Sequence, residues 1–406
     1  MANFLNVTSE IGPLEAVLLH RPGKELERLT PQYLNELLFD DIPWLERMQQ
    51  EHDLFAKALR ERGVKVFYYE DLLTEILEMI TVREALAREV LQFCDVRRAS
   101  DRDAVLDYLD AKSARHVARI LIAGLPKAEV PHLGRKNLSF YMKHELPFFI
   151  PPIPNFYFSR DPGTVIGHGL SVNAMHTPAR QRESMILEYI FRHHPDFAMP
   201  QHPAWYGHSN PDSIEGGDIL VLSPNVVAIG CSERTSAMAI EQLALNLFHG
   251  DSAVTEVLVI QIPFTRSFMH LDTVFTMVDR DTFTIYPGVE KQMNVFRLTP
   301  KAGDLHIEPL SHLKEALKTS LHLPAVQFIQ SGGDDHITAA REQWSDSTNT
   351  LAIAPGVVVT YNRNIHSNAI LRQHGIEVVE IEGSELVRGR GGPRCMSMPL
   401  RRGEIA

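Results

Sequence analysis

Cysteine is scarce in this chain: three residues among 406, an odd number. That argues against a disulfide framework and for a reducing compartment, so a cytoplasmic location is expected. No apolar run approaches the ~20 residues needed to cross a bilayer. The opening MANFLNVTSEIGP has neither the basic nor the apolar region of a signal peptide, so none is expected. Basic charge is not in excess, with 40 Lys and Arg against 51 Asp and Glu and a net charge of −11. Nucleic acid is therefore disfavoured as the main partner, because phosphate binding needs a basic surface. Metal-site spacings such as HExxH or CxxC are missing and the 19 histidines are scattered, so no metal and no cofactor is expected.

What is present is an ordinary globular composition, 44% hydrophobic and 22% charged, with internal repeats. LFAKALRERGVKVFYY (54–69) and AILRQHGIEVVE (369–380) both give a helix end, Leu-Arg-x-x-Gly and a short strand. Gly63 and Gly375 are placed to end those helices at C′. A second repeat reads strand, turn, strand: 160–180, 216–236, 270–288 and 347–364. The leading acids Asp161, Asp218 and Asp272 recur at similar spacing, and a GGD recurs at 332–334. The pattern predicts ββαβ-like modules around an axis, each bringing its strand start near a shared centre. Residues 72–143 break it with helical sequence, which reads as a helical insertion. Cys94 within it and Cys231 read as structural.

Five segments carry polar groups that a module centre would bury: Asn155, Arg160 and Asp161; Glu215 and Asp218; Arg266, His270 and Asp272; Asp334 to His336; and the tail RGRGGPRCMSMPLRR with Cys395. An unpaired buried charge is expensive, so their convergence needs a reason. The tail has two readings. It is either an exposed basic segment, or a nucleophile whose thiol pKa is lowered by Arg388, Arg390 and Arg394. Paired carboxylates can grip a planar guanidinium, a thiolate can attack its carbon, and a histidine can protonate the leaving amine and then activate water.

The motifs FSRDPG, IEGGD, SFMHLDTVF and the terminal Cys tail, in combination, resemble the arginine deiminase family of the guanidine-modifying (pentein) superfamily. The resemblance spans essentially the whole chain. It implies an α/β fold, a five-module ββαβ propeller (residues 1–71 and 144–406) with an inserted helical bundle (72–143). The implied reaction is L-arginine plus water to L-citrulline and ammonia. It also implies Cys395 as nucleophile, His270 as general acid and base, Glu215 as the carboxylate assisting proton transfer, and Asp161 and Asp272 as the guanidinium grip. Arg180 and Arg234 would hold the substrate carboxylate, across the pocket from the acids. Asn155 and Phe158 would line the pocket, and Arg390 would be a mobile gate. Many relatives carry His before the catalytic Cys where this chain has Arg394. A homo-oligomer, dimer or higher, is expected, with no membrane partner. Other readings are an agmatine deiminase, dimethylarginine hydrolase or amidinotransferase, a non-catalytic arginine-binding protein, and an RNA-binding tail.

Overall fold

The computed structural model describes residues 4–130, 147–197, 202–265 and 267–405. Five sheets share one plan: an antiparallel pair of strands, a helix, and a third strand parallel to the second. The second module runs Gly163–Ile166, Gly169–Val172, helix Pro178–His193 and strand Ala204–Tyr206. The third runs Ile219–Val221, Val226–Cys231, Ala237–His249 and Glu256–Gln261. The fourth uses Phe275–Met277, Thr282–Ile285, Leu313–Ser320 and Gln327–Gln330. The fifth uses Leu351–Ala354, Val357–Tyr361, Ile365–Gln373 and Glu377–Ile381. The first module is assembled from both ends of the chain. Strand Leu14–Leu19 pairs antiparallel with Met398–Arg402 and parallel with Lys65–Tyr68, with helix Leu45–Arg60 between.

Local sequence explains these elements. The strands are rich in Val and Ile, whose branched side chains suit a pleated, buried surface. Helix Leu45–Arg60 buries Met48, Phe55 and Leu59 on one face. Gly63 and Gly375 both sit at φ 82°, the left-handed turn predicted to end their helices. A hairpin, Asn294–Lys301 with Asp304–Leu310, departs from the fourth module and extends the third module's sheet instead. Helices Tyr69–Leu77, Ile80–Phe93, Ala99–Asp110 and Ala114–Ala123 fill the helical segment. They share one apolar core with the second and third modules, through Leu73, Leu86, Leu121, Ile190 and Leu243. The expected end of that segment, residues 131–143, lies outside the described residues, as does Arg266.

The segment leading into each first strand meets the next at the centre. The Gly216 N–H donates to the Asp161 carbonyl (3.1 Å), and the Leu271 N–H to Asp218 Oδ1 (2.8 Å). Asn349 Nδ2 donates to the Asp272 carbonyl (3.3 Å), while its Oδ1 accepts the Cys395 N–H (2.9 Å). The Arg160 N–H then donates to the Cys395 carbonyl (3.0 Å), which closes the ring. The GGD at 332–334 does not join it. It follows a third strand rather than preceding a first one, and Asp334, Asp335 and His336 are exposed, with Asp335 capping helix His336–Trp344. The fifth module's contribution is Asn349 instead.

Because Met398–Arg402 closes the ring, its packing should matter as much as that of any central strand. Leu400 is fully buried. Leu400→Ala should lower unfolding free energy by about 2–5 kcal/mol, the range for deleting a buried leucine side chain, read from urea denaturation.

Candidate active site

Each predicted acid sits on a short turn just before a first strand, where the backbone has left the ladder and its N–H groups are free to hold side chains. Asp161 Oδ1 accepts the Gly217 N–H (3.1 Å) and lies 3.8 Å from His270 Nδ1. His270 Nε2 is 2.8 Å from Glu215 Oε2, and Glu215 Oε1 accepts the His176 N–H (3.0 Å). All three side chains are buried. Burial alone would discharge His270, but the Asp161 charge and the hydrogen bond to Glu215 override it and raise its pKa well above the usual imidazole value. Burial would likewise raise Glu215, and the bond to His270 outweighs it and holds the carboxyl low. The pair is an imidazolium and a carboxylate.

Asp161, Glu215 and His270 place one ligand atom each within 4.8 Å of one another, a spacing a cation could bridge. In the structure His270 turns Nε2 to Glu215 and Nδ1 to Asp161, so the three groups meet one another directly.

Cys395 is 4% exposed, and its Sγ lies 3.6 Å from Asp272 Oδ2. The sequence suggested a thiol whose pKa is lowered by the tail arginines. The structure reverses this: burial first, then the charges of Asp272, Asp161 and Asp346, push the thiol well up, and Arg394 offsets them only in part. The arginines are engaged elsewhere. Arg388 bonds Asp41 and Glu385, and the Arg390 guanidinium stacks on Trp344 at 3.4 Å from the ring centroid. Arg394 is buried between Glu10 (Nε to Oε2, 3.0 Å) and Asp272 (Nη1 to Oδ2, 2.8 Å), and it also donates to the Ile219 carbonyl (2.8 Å). It therefore shares with the thiol the same oxygen of Asp272.

Arg180 also departs from expectation. It does not stand across from the acids: its Nη1 donates to Asp161 Oδ2 (2.6 Å), and Glu183 takes its other edge. Asn155 and Phe158 lie beside it, their carbonyls 3.4 Å from Nη2. The Phe158 ring packs under the tail; a Cβ on Gly391 would come within 2.3 Å of it, so that position requires glycine. Arg234 and Arg390 line a cavity of about 300 Å³, together with Leu38, Phe39 and Met269. Arg234 Nη1 donates to Thr177 Oγ1 (2.5 Å), while its buried Nε has no hydrogen-bond partner among the described residues. Asp218 is bracketed by Ser232, Thr235 and the Leu271 N–H, a structural role. Cys94 and Cys231 are half-buried against the large core.

Sequence reading missed Glu10, Glu183, Asp346 and Asn349. Asn349 had a usable signal, since it opens the hairpin STNTLAIAPG in the position the acids occupy elsewhere. The other three had none.

The fold recurs in solved structures. A dimethylarginine dimethylaminohydrolase from Pseudomonas aeruginosa aligns over 95% of this chain and 98% of its own, with TM-score 0.53 and 14% identity. An amidinotransferase from Microseira wollei aligns over 99% of both chains, with TM-score 0.55 and 14% identity. These likenesses define the class, a five-module pentein propeller. Sequence comparison then narrows it. The family model described as "Arginine deiminase" matches residues 35–402. Proteins named arginine deiminase from Listeria monocytogenes serotype 4b and Bacillus cytotoxicus are 48% identical over 409 residues and 49% identical over 410 residues. They cover 99% and 100% of this chain, and the alignments span 98% and 100% of the relatives. The chain belongs to the arginine deiminase family.

Two outcomes test the electrostatics. Arg394→Ala leaves Glu10 and Asp272 buried without their cation, so it should cost about 3–5 kcal/mol in urea unfolding. It should also move the alkylation midpoint of Cys395 further up in a pH series of iodoacetamide rates. The second outcome concerns pH. Burial raises Glu183 and Asp346 to about 7 and Asp218 to about 6. Unfolded carboxyls titrate near ~4, so the folded state holds extra protons between pH ~4 and ~7 and these groups lose stability as pH rises through that window. Asp346→Asn should flatten the fall in unfolding free energy between pH 5 and 8; an unchanged slope would remove Asp346 from the account.

Proposed function

We infer that this protein hydrolyses L-arginine to L-citrulline and ammonia, with Cys395 as the nucleophile. The observation that carries the reading is the meeting of an imidazolium, three carboxylates and a buried thiol at one centre. Burial first, and then the charges of Asp272, Asp161 and Asp346, outweigh Arg394 and hold the proton on the thiol. A bound guanidinium supplies the missing positive charge, lowers the thiol pKa so that the thiol releases its proton to solvent, and presents its carbon for attack by the thiolate. Asp161 and Asp272 grip the guanidinium nitrogens. The S–C bond forms, His270 gives its proton to the departing nitrogen, and ammonia leaves a cationic S-alkylthiouronium. Neutral His270 then takes a proton from water, the oxygen adds to carbon, and the C–S bond breaks. The hydroxyl proton returns to sulfur and citrulline is released. Glu215 keeps His270 charged for the first step. Arg234, whose buried Nε is unpartnered among the described residues at the cavity wall, meets the α-carboxylate together with Arg180. Asn155 and Phe158 shape the site beneath them, and Arg390 gates it from the tail.

On the same reading, residues 1–71 and 144–406 form the catalytic propeller and 72–143 an inserted helical domain. The protein works in the cytoplasm as a homo-oligomer without a cofactor. Three unpaired cysteines support the reducing compartment. Among the described residues, no helix is long and apolar enough to cross a membrane.

The decisive experiment incubates purified protein with arginine, without added metal, and assays citrulline and ammonia. Acid quench and mass spectrometry should find an adduct on Cys395 that lacks one ammonia. Cys395→Ser should abolish turnover while retaining arginine binding, and His270→Ala should slow both formation and hydrolysis of the adduct. An adduct on another residue, or an active Cys395→Ser, would overturn the assignment.

A further inference from the structure

Arg180 meets Asp161 as a substrate guanidinium would. Its Nη1 donates to Asp161 Oδ2 at 2.6 Å. The opposite edge is held by Glu183, three residues along the same helix, through Nε (3.1 Å to each oxygen) and Nη2 (2.8 Å to Oε2). Asp161 Oδ1 is engaged with the Gly217 N–H and faces His270. Oδ2 is therefore the oxygen left for an incoming guanidinium, and Arg180 covers it. Glu183 is fully buried, and its ion-pair partner among the described residues is Arg180.

These contacts make the two ends of a ligand interdependent. A guanidinium reaching Asp161 Oδ2 must displace Nη1. That group is then buried without an anion unless the ligand supplies one. Glu183 keeps the other edge paired, so the arginine stays in the site while it changes partner. With Glu183 ionised, three carboxylates (Asp161, Glu183 and Glu215) surround two cations (Arg180 and His270), which leaves the empty cluster one positive charge short.

We propose that Arg180 is an exchange residue tethered by Glu183: it caps Asp161 in the empty site, the substrate guanidinium displaces it, and the freed Nη1 takes the substrate's α-carboxylate. Glu183 acts through Arg180 and is a positioning residue. The inference rests on the reading of arginine as substrate, and it predicts that a guanidine without a carboxylate is a poor ligand for this site.

Calorimetric titration in a Cys395→Ser background, which does not turn over, tests it with three ligands. These are L-arginine, agmatine (guanidinium without carboxylate) and L-norvaline (amino acid without guanidinium). Adding Asp161→Asn removes the charge that holds Nη1. L-norvaline should then bind about tenfold or more tighter, the scale of one released charge-assisted hydrogen bond, while arginine binds more weakly. Adding Glu183→Gln instead removes the tether. Agmatine should weaken by about tenfold beyond any loss for arginine, because displaced Arg180 then has no anion left. A purely structural role for Glu183 would lower the melting temperature and the fraction of binding-competent protein while leaving that ratio unchanged. The exchange is overturned if folded Asp161→Asn binds L-norvaline no better, or if Glu183→Gln weakens both guanidines equally. The second arm decides the matter if Asp161→Asn does not fold. Wild type that yields no citrulline, alongside the L-norvaline gain, would overturn the activity and leave the exchange standing.

Discussion

The hydrogen bond from the Arg160 N–H to the Cys395 carbonyl is the contact on which the site depends. It joins the second module to the last segment of the chain, and with four similar contacts it turns five small sheets into a closed ring. Each sheet has only three strands of its own, the third gaining two from the inserted hairpin. Small sheets of this kind have little stability alone, so neighbours must complete one another's cores. The same closure brings the turn before each first strand to one point. Those turns have backbone N–H groups outside any ladder, and the acids there satisfy them. Structure and chemistry thus use the same atoms: the Gly217 N–H fixes Asp161, the Leu271 N–H fixes Asp218, and Asn349 fixes the cysteine backbone.

The electrostatics follow from that geometry. Burying several carboxylates together is costly unless cations or donors accompany them. The chain supplies Arg180 for Asp161 and Glu183, Arg394 for Asp272 and Glu10, and His270 for Glu215. Even so, the face toward Cys395 stays negative and the thiol stays protonated. On the proposed mechanism, a thiol kept protonated until a cation arrives avoids the alkylation and oxidation of a free thiolate, both of which follow thiolate character and exposure. Arg394 is central here. An arginine stays charged across the physiological range, whereas a histidine in that position could titrate, so the hold on Asp272 does not vary with pH.

Relatives nearly half identical over the full length place the chain in its family, whereas the solved structures at 12–14% identity share only the ring of modules. In this chain the segments that feed the centre include the helix carrying Arg180 and Glu183, the turn carrying Arg234 after strand Val226–Cys231, and the glycine-rich tail.

The sequence by itself determined the modules. Strand–turn–strand repeats, the paired Leu-Arg-x-x-Gly helix ends and the helical stretch after residue 71 are local signals, because period, turn chemistry and left-handed glycines act over a few residues. It also marked Asp161, Glu215, His270, Asp272 and Cys395, since each stands at a strand start or in an unusual tail. Tertiary structure alone decided what those residues face. Asp334 of the GGD at 332–334 looked like another centre acid and is exposed, because it follows a strand rather than leading one. Arg180 looked like a free clamp and is paired with Asp161. Of the tail arginines that looked like neighbours of the thiol, Arg388 and Arg390 turn away to Asp41 and Trp344, and Arg394 is held between Glu10 and the Asp272 oxygen that the thiol also meets. Charge sets a pKa through distance and burial in three dimensions, and proximity along the chain carries neither. A cysteine among arginines therefore became, once folded, a thiol held by carboxylates.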